Sequence, residues 1–152
     1  RGIALALNEP VGVIGALCPD DKPLLGLVSL MAPAIAMGNQ IILTASEPFP
    51  LIATDFYQVL ETSDVPAGVV NILTGCHIEI APQMASHLNI DAVWSFSSSN
   101  LSKIIEKNAA GNLKRTWVNN GLDRIWTKSD GEGHIFLQAS TEIKTVWVPY
   151  GE

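Results

Sequence analysis

Charge is the scarcest property of this 152-residue chain. Only 16% of its residues are Asp, Glu, Lys or Arg, against about 25% in an ordinary soluble domain. The shortage falls hardest on the basic side, with nine Lys and Arg against fifteen Asp and Glu and a net charge of −6. Lys114-Arg115 is the one adjacent basic pair, so the basic patch that nucleic acid requires is missing. Cysteine is scarce too. Cys18 and Cys76 have neither the spacing of a disulfide framework nor that of a metal site, which predicts reduced thiols and a cytoplasmic protein. No uncharged run reaches the roughly 18 to 20 residues of a membrane span. The longest, from Pro23 to Met37, holds two prolines and stops at Gly38-Asn39. A signal peptide is not visible, and the first residue is Arg1 rather than Met. The expectation is a piece of a longer protein.

What the chain has is apolar substance, 47% of its residues. That is enough for one domain with a real core. So little charge also implies either a well-covered sheet or surface buried against another domain or a second subunit.

The hydrophobic periods alternate. Val11–Leu17, Gln40–Leu43, Val69–Leu73, Ala92–Phe96 and Arg115–Val118 read as strands buried on both faces. Between them Pro23–Met37, Phe49–Glu61, Ile78–Ser86 and Ser98–Lys107 have helix length, with Pro23 placed for a first turn. Such alternation predicts βαβ units, an α/β fold with a Rossmann-like, mostly parallel five-stranded sheet and helices on both faces. Ile3–Leu7 and Lys144–Val148 add one or two strands from the termini. Gly121–Thr127 reads as a further strand and Gly133–Glu142 as a helix.

Three strings carry a resemblance. Glu9 to Leu24 reads E-P-V-G-V-I-G-A-L-C-P-D-D-K-P-L, Val65 to Gly75 reads V-P-A-G-V-V-N-I-L-T-G, and Ala109 to Arg115 ends in N-L-K-R. In this order and spacing they resemble the cofactor half of aldehyde dehydrogenases, continuously from about Asn8 to Asn119. The later strings G-L-D-R-I-W-T and I-K-T-V-W-V resemble two elements that follow the catalytic cysteine in that family. The resemblance therefore implies an edge or oligomerisation strand over 1–8, a Rossmann-like cofactor domain over 9–119, and a tail over 120–152 from the end of the catalytic domain. Most of the part that holds the nucleophile would be missing. It is closest to the shortened second domain of aldehyde dehydrogenase family 16.

The resemblance also assigns roles, position by position, and most are altered. The family asparagine that donates to the oxyanion is Asp21 here, and an ionised carboxylate only accepts. The strand end K-P-x-E, whose Lys and Glu hold the adenosine ribose, is Thr44-Ala45-Ser46-Glu47. Glu47 survives, and its plainer reading is an acid favoured at a helix start. The glycines that let backbone approach pyrophosphate are Ser97 and Ser102. Ser98 matches the family serine and equally suits a helix cap. The general-base glutamate is Asn119, whose amide takes no proton at neutral pH. Neither cysteine replaces the nucleophile, because Cys18 has no cationic neighbour and Cys76-His77 point apart in extended chain. His77, Glu79 and His87 read as ordinary surface residues rather than a metal site.

The expectation is a catalytically inactive, aldehyde-dehydrogenase-like domain with a structural, oligomerisation or protein-interaction role, requiring no cofactor and no metal. Its partner is the other domain of a parent protein or a second subunit, met through the terminal strands. Two alternatives stand beside it. One is a residual NAD(P)-binding module resting on Glu47, Ser98 and the strand-end crevice. The other is part of an active NAD-dependent oxidoreductase whose catalytic residues lie elsewhere in the parent chain.

Overall fold

The computed structural model describes residues 2–151. Its centre is a five-stranded parallel sheet in the order β4-β3-β2-β5-β6. The strands are β2 (Val13–Leu17), β3 (Gln40–Thr44), β4 (Val70–Leu73), β5 (Ala92–Ser95) and β6 (Arg115–Val118). Every alternate residue of a parallel strand needs its own cover, and helices supply it on both faces. On one face α1 (Pro23–Ala36) and α2 (Pro50–Glu61) cover Ile14, Ala16, Ile41, Leu43 and Trp94. On the other α3 (His77–Ser86) and α4 (Ser99–Ala109) cover Leu17 and Val93.

Local chemistry sets the boundaries. Pro23 occupies the first turn of α1, where its missing N–H costs nothing. Gly38, at φ +86°, takes the left-handed turn that ends the helix run. Gly26 allows α1 to lie against the preceding loop, because a Cβ there would sit 2.1 Å from Pro19 Cγ. Among the described residues, no helix is long and apolar enough to cross a membrane.

The termini form a second sheet. β1 (Gly2–Pro10) and β7 (Thr141–Pro149) run antiparallel from Gly2↔Pro149 to Pro10↔Thr141. They pair with each other rather than with the central sheet. Ile3, Leu5 and Leu7 lie on one face of this ribbon and are each about half exposed.

The segment between β6 and β7 departs from the sequence expectation twice. Gly121–Thr127 is loop and turn, not strand. Asn120 (φ +54°) and Gly121 (φ +79°) break the extended run directly after β6. Beyond them Trp126 is drawn into the core, 5% exposed. The expected helix Gly133–Glu142 is only α5 (His134–Ala139), because Thr141 already begins β7. Phe136 of α5, 1% exposed, packs in the α1 face of the core with Trp94, Phe96 and Trp126.

Phe136→Ala should therefore destabilise the whole fold by about 3–5 kcal/mol, read from urea unfolding followed by tryptophan fluorescence. An unchanged midpoint would mean that α5 does not share the sheet's cooperative core.

Candidate functional site at the carboxyl ends of the strands

From β2 the chain winds outward to β3 and β4, then returns across the sheet to β5 and β6. A crevice opens where this order reverses, between the carboxyl ends of β2 and β5, and such switch points are where α/β folds bind ligands. The loops after β2, β5 and β6 meet there. They line a cleft of about 260 Å³ with Asp21, Ser97, Ser98, Asn119, Asp123 and Arg124 among its walls. The fold thus brings Asp21, Ser98 and Asn119 together, as the sequence positions imply.

Glu47 and Thr44 lie elsewhere. Thr44 is fully buried, and its hydroxyl faces Met84 Sδ at 3.9 Å. Glu47 Oε1 accepts the backbone N–H of His77 at 2.5 Å, the first residue of α3. The acid does stand at a helix start, as the macrodipole favours, but the helix is α3 and not the one that follows it in sequence. His77 is correspondingly 4% exposed, with Nε2 2.8 Å from the Ala45 carbonyl. The surface reading of that histidine is overturned: a short strand-to-helix turn folds its ring inward. Asp20 Oδ1 accepts from Ser46 Oγ at 2.8 Å and from Glu47 N–H at 3.0 Å, tying the loops after β2 and β3 together.

The start of α4 is closed from two sides. Ser98 Oγ accepts the Leu101 N–H at 3.2 Å, a side-chain cap. Ser102 Oγ donates to Ser98 O at 3.1 Å and accepts the Asn120 N–H at 3.2 Å. Gly121 then lies so near that a Cβ on it would stand 3.1 Å from the Ser99 nitrogen. The turn after β6 covers the first N–H groups of the helix.

Asn119 donates from Nδ2 to the Leu122 carbonyl at 2.5 Å, while its buried Oδ1 finds no partner among the described residues. Cys18 is buried, and desolvation, reinforced by the Asp20 charge, pushes its thiol up to about 12. At neutral pH it holds its proton and is no nucleophile. Cys76 is exposed and precedes α3, outside the cleft lining. Among the described residues no group of three or more His, Cys, Asp or Glu is placed to hold a metal.

Arg124 was missed by the sequence reading. Its guanidinium carbon lies 4.5 Å from the Phe96 ring centroid, 5.2 Å from Phe136, 5.3 Å from Trp117 and 5.6 Å from Trp126. Such stacking suits the weakly hydrated guanidinium, and one of its N–H groups donates to Asp130 O at 3.0 Å. Burial pulls its pKa down, partly offset by Asp130, yet arginine stays charged. The one available signal was Asn120-Gly121, a turn dipeptide that argues against a strand immediately beyond it.

The description "Aldehyde dehydrogenase family" matches residues 1–123. An NADP/NAD-dependent aldehyde dehydrogenase of Escherichia coli, PuuC, is 37% identical over 120 residues, covering 78% of this chain and 24% of that protein. An aldehyde dehydrogenase of Agaricus bisporus is 38% identical over 153 residues, covering 99% of this chain and 29% of its own length. Among solved structures, the aldehyde dehydrogenase KauB of Pseudomonas aeruginosa superposes with a TM-score of 0.75 at 34% identity, over 79% of this chain and 24% of that one. An indole-3-acetaldehyde dehydrogenase in its apo form gives 0.75 at 33%, over 79% and 28%. The chain spans about a quarter of the length of the curated relatives it matches. With a continuous match over four-fifths of its residues and the parallel sheet common to these structures, the chain belongs to the aldehyde dehydrogenase family.

Proposed function

We propose that this chain is a catalytically silent module of that family, serving assembly or protein interaction within a larger aldehyde-dehydrogenase-type protein. The resemblance to the shortened second domain of aldehyde dehydrogenase family 16 is the narrower form of the same reading. The observation that carries it is the seat of Asn120-Gly121 on the start of α4. A dinucleotide pyrophosphate needs those N–H groups free and needs glycine at the close approaches. Here it would meet a covering turn, with Ser97 and the Asp21 carboxylate in the same cleft and Ser102 fully buried where a glycine would be needed. The residues do not fit the cofactor, so no reaction step is routed through it.

The rest of the site supports the same conclusion. A carboxylate at position 21 repels a developing oxyanion, where loss of one donor alone costs about 3–4 kcal/mol. Asn119 offers an amide where a base is needed, and the buried thiol of Cys18 is protonated. The interaction role rests on the β1–β7 ribbon. A two-stranded ribbon is marginal on its own, and this one presents Ile3, Leu5 and Leu7 to solvent.

Three outcomes are expected. Titration with NAD or NADP up to about 1 mM, the upper range of ordinary enzyme affinities, gives no saturable change in tryptophan fluorescence, and aldehydes give no reduced cofactor. Saturation together with turnover would sink the silent reading; saturation alone would favour the NAD(P)-binding alternative.

Stability should report Cys18. Its folded pKa of about 12 lies above the ordinary 9.0, so above pH 9 the unfolded chain releases a proton that the folded chain keeps. The stabilisation is complete below pH 9 and is lost as pH rises towards 12, by up to about 1.4 kcal/mol per pH unit. Denaturation midpoints of Cys18→Ala should fall less steeply over that window than those of the parent. Equal slopes would mean that the thiol is not held neutral.

The ribbon should report assembly. Leu5→Lys places a charge beside Val146, its partner in register, and should lower the mass seen by light scattering towards the 16.3 kDa of one chain without loss of circular dichroism. An unchanged mass would remove the ribbon as the contact.

A further inference from the structure

A second cavity is larger than the strand-end cleft. It lies on the outer side of α1, against the segment that carries Trp126 and α5, and is an open hollow of about 770 Å³. That is within the range of small-molecule sites, roughly 300–1,000 Å³. Leu25, Val28 and Ala32 of α1 form one wall, and Trp126, Phe136 and Leu137 form the other. Thr127, Lys128, Glu132 and His134 also line the cavity, and its apolar walls alone would suit an apolar body with no chemical preference. One detail supplies a preference.

Pro33 lines the cavity in the interior of α1, and so does Ser29, four residues earlier. In an α-helix the carbonyl of residue 29 accepts the N–H of residue 33. Proline has no N–H. The Ser29 carbonyl is therefore left without its helical donor beside the apolar wall that α1 gives the cavity, with the hydroxyl of the same residue near it. A ligand that covers this acceptor without offering a donor takes it from water unmatched, which is costly. A ligand that brings a hydroxyl donor and an apolar body satisfies both the acceptor and the walls.

We propose that this cavity binds a small apolar molecule carrying one hydroxyl, with the hydroxyl on the Ser29 carbonyl and the body between α1 and the Trp126–Phe136 wall. The site adjoins the strand-end cleft at Trp126, but its occupation does not require any nucleotide there. It calls for no chemical step.

The test uses 4-butylphenol and butylbenzene, equal in apolar body and different in the donor, with binding followed by calorimetry and by tryptophan fluorescence. The phenol should bind saturably and about tenfold more tightly than the hydrocarbon, the effect of one hydrogen bond to an otherwise unpaired acceptor. Ala32→Phe, which fills the chamber from α1, should abolish binding of both. Pro33→Ala is the sharper variant, because it returns an N–H to the Ser29 carbonyl and favours the helix. It should keep hydrocarbon binding and bring the two affinities together. Far-ultraviolet circular dichroism checks that both variants fold. Absence of saturable phenol binding would overturn the proposal. So would phenol and hydrocarbon binding equally in the parent chain, or a preference for phenol that survives Pro33→Ala.

Discussion

A single buried amide holds the parts of this molecule in register. Asn39 is 2% exposed, and its Oδ1 accepts the Gly12 N–H at 2.9 Å. Its Nδ2 donates to the Ala34 carbonyl at 3.0 Å and to the Ser140 carbonyl at 2.9 Å. The first bond sets the entry to β2, the second closes the end of α1, and the third pins the junction of α5 and β7 to the body from 101 residues away in sequence. The Val11 N–H reaches the same Ser140 carbonyl at 3.3 Å. An amide has both a donor and an acceptor in one rigid plane, and no apolar residue of that volume could satisfy all three backbone groups. Because α5 is tied here, Phe136 stays in the aromatic cluster and Trp126 stays over α1. The cleft at one end of the sheet and the chamber beside α1 share that wall, so both inherit their shape from this contact.

The family positions, kept or altered, are not loose ends. Ser98 caps α4, Ser102 joins α4 to Asn120, Asn119 donates to Leu122 O, and Glu47 receives the first N–H of α3. These four side chains are turned to backbone groups of the chain itself, while Asn119 Oδ1 stays without a partner among the described residues. Such bonds are individually modest, about 0.5–1.5 kcal/mol, but they also consume the donors and acceptors a ligand would have to win back. The cleft's remaining charges point the same way: Asp20, Asp21 and Asp123 border it, with Arg124 as the one cation among its walls. That cation is already committed to four rings and the Asp130 carbonyl. A polyanionic ligand would find repulsion where it needs a counter-charge.

Much of the central sheet was legible in the sequence because its signals are local. β-branched runs such as Val13-Ile14, the proline of the first α1 turn and the Gly38 stop each act within a few residues, and the structure follows them closely. The three cleft positions were legible for a different reason, since strand ends converge at the switch point of any fold with this order. What failed depended on distant partners. Gly121–Thr127 has the composition of a strand, but a strand needs a neighbour, and here two left-handed residues and the pull of the aromatic cluster on Arg124 and Trp126 win. His77 looked like a surface histidine because nothing nearby in sequence announces Ala45 and Glu47 as its partners. Asn39 could be read only as a helix stop, its link to Ser140 being invisible without the fold.

The low charge content can now be placed. The central sheet is covered on both faces and accounts for most of the buried apolar residues, including Ile14, Leu43 and Val93 at zero exposure. It does not account for Ile3, Leu5, Leu7, Ile143 and Trp147, which are exposed along β1 and β7, Trp147 by 76%. On a single-layer ribbon every side chain faces outward on one side or the other, so the chain has no means of covering them itself. Lys144 with Glu9 is the one side-chain ion pair along the ribbon's nine residue pairs, and an exposed pair contributes only about 0–1 kcal/mol. Charge was therefore not spent where solubility alone would demand it. Exposed apolar side chains recur along the one element that lacks a second layer, as an interface strand requires, and the proposed assembly contact uses that element.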